Sequence, residues 1–142
     1  MRGIRFIIFV VVLSWCCLQV GCVTENDADD DGNIIFEYCY FDKNKVFKCE
    51  NVDKVADFSF SPNGDGINDF FIVKSSKVKQ EVSLKIFTRA GVLVFSIEAE
   101  RCVWDGNSLS GKPMVNGVYY YTAEIIDSSP KISKVGFVHL YR

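Results

Sequence analysis

The sequence predicts an all-β protein in which short antiparallel strands form a sandwich or a barrel. Three observations support this fold class. Apolar and polar residues alternate with a period of two in several segments, and glycine, proline and asparagine mark turns between them. Aromatic residues make up 14% of the chain, with 12 Phe and 6 Tyr, and such residues favour half-buried pleated strands. Finally, no stretch keeps a helical period over three turns.

The first segment, residues 1–21, has the features of an export signal. Arg2 and Arg5 form a short basic region, and an unbroken apolar run follows from Phe6 to Leu13. This run is too short, and too close to the terminus, for a membrane-spanning helix. An uncleaved anchor helix remains the alternative interpretation.

The export signal ends in a pattern that predicts lipidation. Residues 18–22 read Leu-Gln-Val-Gly-Cys, which resembles a lipobox with the small Gly21 just before the modified Cys22. Gln19 departs from the usual apolar residue at its position. We expect cleavage before Cys22 and anchoring of the protein in the outer membrane through this residue, because several acyl chains together give stable membrane attachment.

Residues 22–33 form the next predicted unit, which is the lipidated cysteine followed by an acidic tether. Asp27, Asp29 and Asp31 also match the beginning of a calcium-binding loop. Such a loop needs a bidentate carboxylate at its twelfth position, where this chain has Tyr38. A solvated tether is therefore the favoured interpretation, and these three aspartates are only weak calcium candidates. Acidic residues shortly after the lipidated cysteine are also similar to tags that send lipoproteins to the cell surface.

Residues 34–56 predict a small hairpin that is closed by a disulfide bond. A turn centred on Asn44, which tolerates a left-handed backbone, places Cys39 opposite Cys49. Exported proteins meet an oxidising compartment, so we expect these two cysteines to pair. Cys102 is then a free thiol or an alternative partner for either of them. A metal site is the other interpretation, but the chain has no CxxC motif and its only histidine is distant in sequence.

The remaining body contains several predicted strands. Val82, Leu84 and Ile86 alternate with polar residues, and a turn at Gly91 leads to the apolar run 92–97. Alternation returns from Tyr119 to Ile125, and a turn at residues 127–130 precedes the last strand, residues 132–141. These segments predict two antiparallel hairpins.

Three motifs stand out in this body. The first, residues 58–71, reads FSFSPNGDGINDFF, with a dense turn whose Asn and Asp side chains can bond nearby backbone N–H groups. We expect Phe60, Ile67 and Phe70 to pin this loop to the core. The second motif is the hairpin LKIFTRAGVLVF at residues 84–95. The third, residues 104–121, begins with a buried Trp104 and an Asp-Gly turn, and it ends in an aromatic strand.

In their order and spacing, these motifs resemble the gliding-motility-associated C-terminal domain, or type B sorting domain of type IX secretion. The resemblance covers residues 57–142, and Thr88 and Ala90 depart from it where the family usually has Asn and Trp. It implies an immunoglobulin-like antiparallel β-sandwich of about seven strands, here preceded by the cysteine hairpin. The sorting-motif loop that it implies consists of Phe60, Pro62, Asn63, Gly64, Asp65, Gly66, Asn68 and Asp69. The structural motif that it implies consists of Trp104, Asp105, Gly106, Gly117, Tyr119 and Tyr121.

Charge and motif content exclude several classes of function. The net charge is −2, so the chain lacks the basic surface of a nucleic-acid-binding protein. It contains neither G-x-S-x-G nor H-E-x-x-H, and its only histidine, His139, shares a strand face with Val135, Phe137 and Tyr141. We therefore expect a structural histidine, no catalytic residue and no cofactor. Calcium at Asp65 and Asp69 is a minor alternative.

Two non-catalytic functions follow from these features. The lipobox, and the short stretch before the sorting-like domain, favour an outer-membrane or cell-surface lipoprotein. It would be an accessory subunit or docking module of an envelope complex. The alternative is a very short type IX substrate that is delivered to the surface or the medium. The expected partners are an outer-membrane protein complex or components of the type IX translocon, with membrane contact through the lipid anchor.

Overall fold

The computed structural model describes residues 32–52 and 58–142, and these residues contain nine strands and no helix. The predicted export signal, Cys22 and the aspartates at positions 27, 29 and 31 lie outside the described residues. The strands are β1 (Ile34–Phe41), β2 (Phe47–Val52), β3 (Phe58–Phe60), β4 (Phe71–Ser75), β5 (Val82–Phe87), β6 (Leu93–Ala99), β7 (Arg101–Trp104), β8 (Gly117–Ile125) and β9 (Ser133–Leu140). Within these ranges, no helix is long and apolar enough to cross a membrane.

The nine strands form two sheets. One sheet has the order β2-β1-β4-β7, and the other has the order β3-β9-β8-β5-β6. All pairs are antiparallel except β3 with β9, which run parallel. The all-β class and the sandwich-like arrangement predicted from the sequence are confirmed.

The core lies between the two sheets and is rich in aromatic side chains. Trp104, Phe60 and Phe71 are fully buried, and Phe71 contacts rings from both sheets, Phe36 in one and Tyr121 in the other. Aromatic pairs of this kind add stability beyond the area that they bury. The alternation predicted for β5 and β8 is confirmed, because Leu84, Ile86, Tyr119 and Tyr121 all point into this core.

The cysteine hairpin is part of the sandwich and does not merely precede it. Strand β1 pairs with β2 on one side and with β4 on the other, and its Ile34 and Phe36 are buried in the core. The seven strands β3 to β9 agree with the number predicted for residues 57–142, and the hairpin adds two strands to the four-stranded sheet. The turn also differs in detail from the prediction. Lys45 adopts the left-handed backbone at φ 60° that we expected for Asn44.

Candidate sorting and docking surfaces

The sorting-motif loop is organised by one carboxylate. Asp69 Oδ1 accepts hydrogen bonds from the backbone N–H groups of Asn63 at 3.0 Å and Gly64 at 2.8 Å. Its Oδ2 accepts a third, from Gly66 N–H at 2.8 Å. Asp65 holds the middle of the loop, because its carboxylate accepts the Ile67 N–H and the Asn63 side-chain amide. The expectation that acidic side chains bond the backbone of this turn is confirmed.

The loop is also fastened to the rest of the molecule. The Asn68 side chain donates a hydrogen bond to the Ser59 carbonyl, and its backbone N–H donates to the Cys39 carbonyl at 2.9 Å. The Phe41 N–H donates to the Gly66 carbonyl at 3.1 Å, and the Phe41 ring lies over Gly66. A Cβ on Gly66 would be 2.1 Å from that ring, so only glycine fits here.

One prediction for the residues that flank this loop is wrong. Phe60 is buried, as expected, but Ile67 is 47% exposed and Phe70 is 38% exposed. Ile67 forms an isolated bridge with Tyr40 of β1, so the hairpin holds it at the surface. Phe60 therefore pins the loop to the core without the help of the other two side chains.

The third motif forms a tight turn beneath a buried tryptophan. Trp104 Nε1 donates a hydrogen bond to the Asn107 carbonyl at 2.8 Å. Asp105 accepts the Asn107 backbone N–H at 3.0 Å and its side-chain amide at 2.7 Å. Gly106 lies between them at φ 77°, a conformation that favours glycine. The predicted Asp-Gly turn is thus present, and it satisfies the indole N–H that burial would otherwise leave unpaired.

Gly106 is also the point where the separate motifs meet. A Cβ added there would lie 3.2 Å from Pro62 of the sorting-motif loop and 3.0 Å from Leu140 of β9. The Arg142 guanidinium donates to the Gly106 carbonyl at 3.1 Å and lies 3.3 Å from Asn107 Oδ1. The first motif, the third motif and the basic end of the chain therefore form one continuous surface.

The aromatic strand β8 divides its tyrosines between the core and the surface. Tyr119 and Tyr121 are buried, and burial raises the pKa of both phenols. The Tyr119 hydroxyl donates a hydrogen bond to the Val115 carbonyl at 2.7 Å. This bond joins strand β8 to the loop that precedes it. Gly136 of β9 leaves room for Tyr121, since a Cβ there would lie 2.7 Å from the Tyr121 hydroxyl oxygen.

Tyr120, in contrast, contributes to an exposed face of the five-stranded sheet. It is paired with Phe87 of β5 and Phe137 of β9, which gives an aromatic row across three strands. A shallow groove of about 390 Å³ runs beside this row. His139 lies between the rings of Phe137 and Tyr141 at centroid distances of 5.6 and 6.0 Å. The predicted shared face of His139 with these aromatic residues is confirmed.

The predicted disulfide bond between Cys39 and Cys49 is confirmed. The two residues are directly opposite each other in the β1–β2 pair, and their sulfur atoms are 1.99 Å apart. The Arg101 guanidinium lies 3.6 and 3.5 Å from the two sulfur atoms. Cys102 is the remaining described thiol; it is buried, and burial raises its pKa to about 11. A thiol in this state is poorly nucleophilic.

Next to the disulfide lies a partly buried charge cluster. Glu37, which is only 6% exposed, is paired with Lys74 at 2.5 Å and with Arg101 at 2.7 Å. Burial by itself would raise the pKa of Glu37. The hydrogen bonds from Lys74 and Arg101, together with their charges, hold this pKa below its ordinary value. The cluster stabilises the outer face of the four-stranded sheet.

These acidic and sulfur-containing groups bear on the question of a metal ion. Among the residues that the structure describes, Glu37, Cys39 and Cys49 alone form a group of three potential ligands. Both sulfur atoms of that group are in the disulfide, so neither is a thiolate that could bind a metal. In the sorting-motif loop, Asp65 and Asp69 already accept backbone N–H groups. The weak calcium candidates Asp27, Asp29 and Asp31 lie outside the described residues, and a solvated tether stays the prediction for that segment.

The sequence did not indicate two of the groups that shape these surfaces. Arg101 reaches across the sheet to Glu37, 64 positions away in sequence, and Arg142 reaches Gly106, 36 positions away. No local pattern marks such a contact, because each depends on how distant strands pair.

These features define a β-sandwich module whose turn motifs are rigid and converge at one end of the molecule. A family model described as the CHU_C type IX secretion signal domain matches residues 53–140, which is more than half of the chain. The chain therefore belongs to the family of type IX secretion signal domains. A search of curated proteins found no match.

Proposed function

We propose that this chain is a non-catalytic protein of the cell envelope and that its β-sandwich is the address read by the type IX secretion machinery. The family match over residues 53–140 carries this proposal. The loop that begins at Pro62, the Trp104 turn and Arg142 form one rigid surface around Gly106, and a receptor that recognises a folded module needs such a surface. The position of His139 between two aromatic rings supports a structural role for this residue.

The location of the full chain in cells tests this proposal. We expect the protein at the surface or in the medium of wild-type cells and in the periplasm when the type IX translocon is disabled. A periplasmic protein without a sorting domain serves as the control for envelope integrity. An unchanged location in the disabled strain would refute delivery by this route.

A pair of substitutions tests whether the loop surface itself is recognised. Replacing Asn63 and Asp65 with alanine removes exposed polar groups and the two hydrogen bonds that the Asp65 carboxylate accepts, but it leaves Asp69 and its three hydrogen bonds in place. We expect this variant to fold but to accumulate in the periplasm. A matched double variant, Ser108→Ala with Ser110→Ala, changes another exposed polar turn and should be delivered normally. Equal delivery of both variants would exclude the loop as the recognised surface.

The second candidate function is that of an outer-membrane lipoprotein acting as an accessory subunit or docking module. The lipobox-like residues 18–22 favour it, with Cys22 as the lipid-bearing residue. Strand β2 offers a docking edge. It is six residues long, its residues are mostly exposed, and β1 is the one described strand that pairs with it. Such an edge presents free backbone groups to a partner strand.

The intact mass of the protein extracted from native membranes separates the two candidates. A mass equal to residues 22–142 plus lipid, together with stoichiometric co-purification of an outer-membrane protein, would support the accessory subunit. A lipid-free protein in the medium would support ordinary delivery by type IX secretion. The Cys22→Ser variant is the matched control, since it should lose the lipid without any change to the sandwich.

A further inference from the structure

The tip of the β1–β2 hairpin carries apolar side chains that folding does not bury. Phe41 is 47% exposed, Val46 is 52% exposed and Phe47 is 49% exposed. Phe41 and Phe47 are directly opposite each other, and their ring centroids are 5.3 Å apart, so they form one exposed aromatic pair. Contiguous exposed apolar groups of this kind mark interaction sites in soluble domains.

Strand β2 lies outside the family match and contributes little to the core. The match begins at residue 53, and Val52 is the one residue of β2 that is partly buried, whereas the others, such as Phe47, are exposed. The apolar residue at position 47 is therefore not explained by packing of the sandwich. Phe47 lies outside the residues that the family model matches, so its exposure suggests an additional role for the hairpin.

The same tip is basic, although the chain as a whole is acidic. Lys43, Lys45 and Lys48 lie on it with a single acid, Asp42. Asp42 is paired with Lys48 at 2.7 Å and also accepts the backbone N–H groups of Asn44 and Val46. Within the described ranges, no carboxylate forms an ion pair with Lys43 or Lys45. Two cationic side chains are thus available beside the aromatic pair.

The tip is held in one conformation before it meets a partner. The Cys39–Cys49 disulfide closes the hairpin two residues from the Phe41–Phe47 pair. The Lys45 N–H donates to the Asp42 carbonyl at 2.8 Å, and the Asp42 N–H donates to the Val46 carbonyl at 2.9 Å. Because the turn is already ordered, binding through it would have a small entropic cost.

Aromatic rings flanked by lysines match the chemistry of an anionic lipid surface. Phenylalanine side chains on an amphipathic surface insert at the boundary between the headgroups and the acyl chains, and each lysine near an anionic bilayer adds electrostatic attraction. We propose that the tip of the β1–β2 hairpin docks the protein on an anionic phospholipid surface, with the rings of Phe41 and Phe47 at the boundary between headgroups and acyl chains. Lys43 and Lys45 then lie among the phosphates.

The neighbouring loop opposes this attraction in part. Asp65 and Asp69 lie in the loop that Phe41 covers at Gly66, and both carboxylates accept N–H groups within that loop. Their negative charge reduces the net potential at this end of the molecule. We therefore expect the apolar side chains to supply most of the affinity, and the lysines to supply the preference for anionic lipid.

A site-specific fluorescent reporter tests the proposal directly. The protein used is residues 22–142, the mature chain that the lipobox predicts, with Cys22→Ser, so that no lipid is attached, and with Phe47→Trp. A matched reporter places Val115→Trp on another exposed turn, where Val115 is 76% exposed. The vesicles are either pure phosphatidylcholine or a mixture with phosphatidylglycerol. After subtraction of the Trp104 emission recorded without a reporter, we expect the tryptophan at position 47 to shift to the blue and to be quenched by brominated lipid, and the one at position 115 to remain unchanged.

Charge and ring substitutions then assign the contributions. Lys43→Glu with Lys45→Glu should weaken binding to phosphatidylglycerol vesicles about tenfold or more, and added salt should weaken it further. The matched control, Lys85→Glu with Lys112→Glu, should bind like the parent. Phe47→Ser should lower binding about tenfold, by loss of apolar contact. All of these variants are made in residues 22–142, so the apolar segment at residues 6–13 does not contribute to the measured binding.

Several outcomes would overturn the proposal. Equal binding to both kinds of vesicle would exclude recognition of anionic lipid. Sedimentation with vesicles without a change at position 47 would place the contact elsewhere in the chain. An absence of binding to either vesicle would leave a protein as the partner of the tip. None of these outcomes bears on delivery by type IX secretion, which the translocon-disabled strain tests separately.

Discussion

At the scale of single residues, the Asp69 carboxylate explains why the sorting-motif loop has a fixed shape. It accepts three backbone N–H groups from a segment whose residues Gly64 and Gly66 have positive φ. A loop of this conformation has no sheet partner for these donors. One side chain therefore replaces the hydrogen bonds that a regular strand would make.

Removal of this carboxylate should loosen the loop and destabilise the sandwich. We expect Asp69→Ala to lower the free energy of unfolding by about 1–3 kcal/mol, because hydrogen bonds to a charged acceptor are lost while water can reach the exposed donors. Urea denaturation followed by tryptophan fluorescence measures this change. The control is Glu100→Ala, at an exposed position between β6 and β7, which should change stability little. Equal effects of the two substitutions would contradict the role assigned to Asp69.

A second prediction at the residue scale concerns Glu37 and the dependence of stability on pH. Its pKa in the folded protein is held below its ordinary value of 4.5 despite the opposing effect of burial. The carboxylate therefore stabilises the fold above that ordinary pKa, and this contribution is lost as the pH falls through the folded value. We expect Glu37→Gln to cost about 1–2 kcal/mol at pH 7, a value reduced by the partial exposure of Lys74 and Arg101.

The pH dependence of that difference distinguishes charge from packing. Melting of the parent and of Glu37→Gln, measured from pH 8 to pH 3, should show a constant difference down to about pH 5 and convergence below it. A difference that persists unchanged at pH 3 would indicate that glutamine fails for steric reasons. Glu98→Gln, at an exposed position that bonds Ser83 at 3.2 Å, is the matched control and should show a small effect throughout.

Single residues also show what a sequence can and cannot reveal. The pairing of Cys39 with Cys49 could be predicted from a turn at Asn44. The position of a turn fixes the register of a hairpin, and the register determines which residues are opposite each other. The left-handed residue of that turn was misassigned, since Lys45 takes the conformation for which asparagine is usually preferred. The contact of Arg101 with the disulfide depends on the β4–β7 pair and has no local signal.

At the scale of elements, β2 depends on the disulfide more than any other described strand does. Its residues are largely exposed, and β1 is its partner on one side. We expect Cys39→Ser with Cys49→Ser to free β2, with a loss of about 2–3 kcal/mol for a closure that spans 10 positions in sequence. Hydrogen exchange should become fast in β2 and stay slow in β8, which is paired on both sides.

The contrary outcome is equally informative for this element. If β8 loses protection together with β2, the disulfide supports the whole sandwich and not only its edge. The variant Cys102→Ala serves as the control for removal of a cysteine, because Cys102 is a buried free thiol in β7. That substitution should reduce global stability by cavity formation, without selective exchange in β2.

Prediction of the strands from sequence succeeded where an alternation or a turn marked them, and it gave no bounds for β3 and β4. The alternation of β5 and β8 revealed them, because each has one face in the core and the other toward solvent. In β4, four of the five residues are buried, so no period of two is visible. The three-residue β3 pairs in parallel with β9 near the other end of the chain, a contact that no local pattern predicts.

At the scale of the whole molecule, the boundary of the family match does not coincide with the boundary of the folded unit. The match begins at residue 53, yet β1 lies before it and fills part of the core with Ile34 and Phe36. Phe36 contacts the rings of Phe58, Phe71 and Tyr121, which come from both sheets. Strand β1 also separates β2 from β4 in the four-stranded sheet.

The sandwich should therefore require β1 for folding. We expect a fragment of residues 53–142 to be unfolded or aggregated, because it would expose the edge of β4 and the core surface that Phe36 covers. A fragment of residues 32–142 should give a cooperative thermal transition by circular dichroism. The full chain with Phe36→Ala should unfold with about 3–5 kcal/mol less stability, because a large cavity replaces a ring that contacts three others. A cooperatively folded 53–142 fragment would instead mean that the sorting module is complete without β1 and that the hairpin is an independent addition to it.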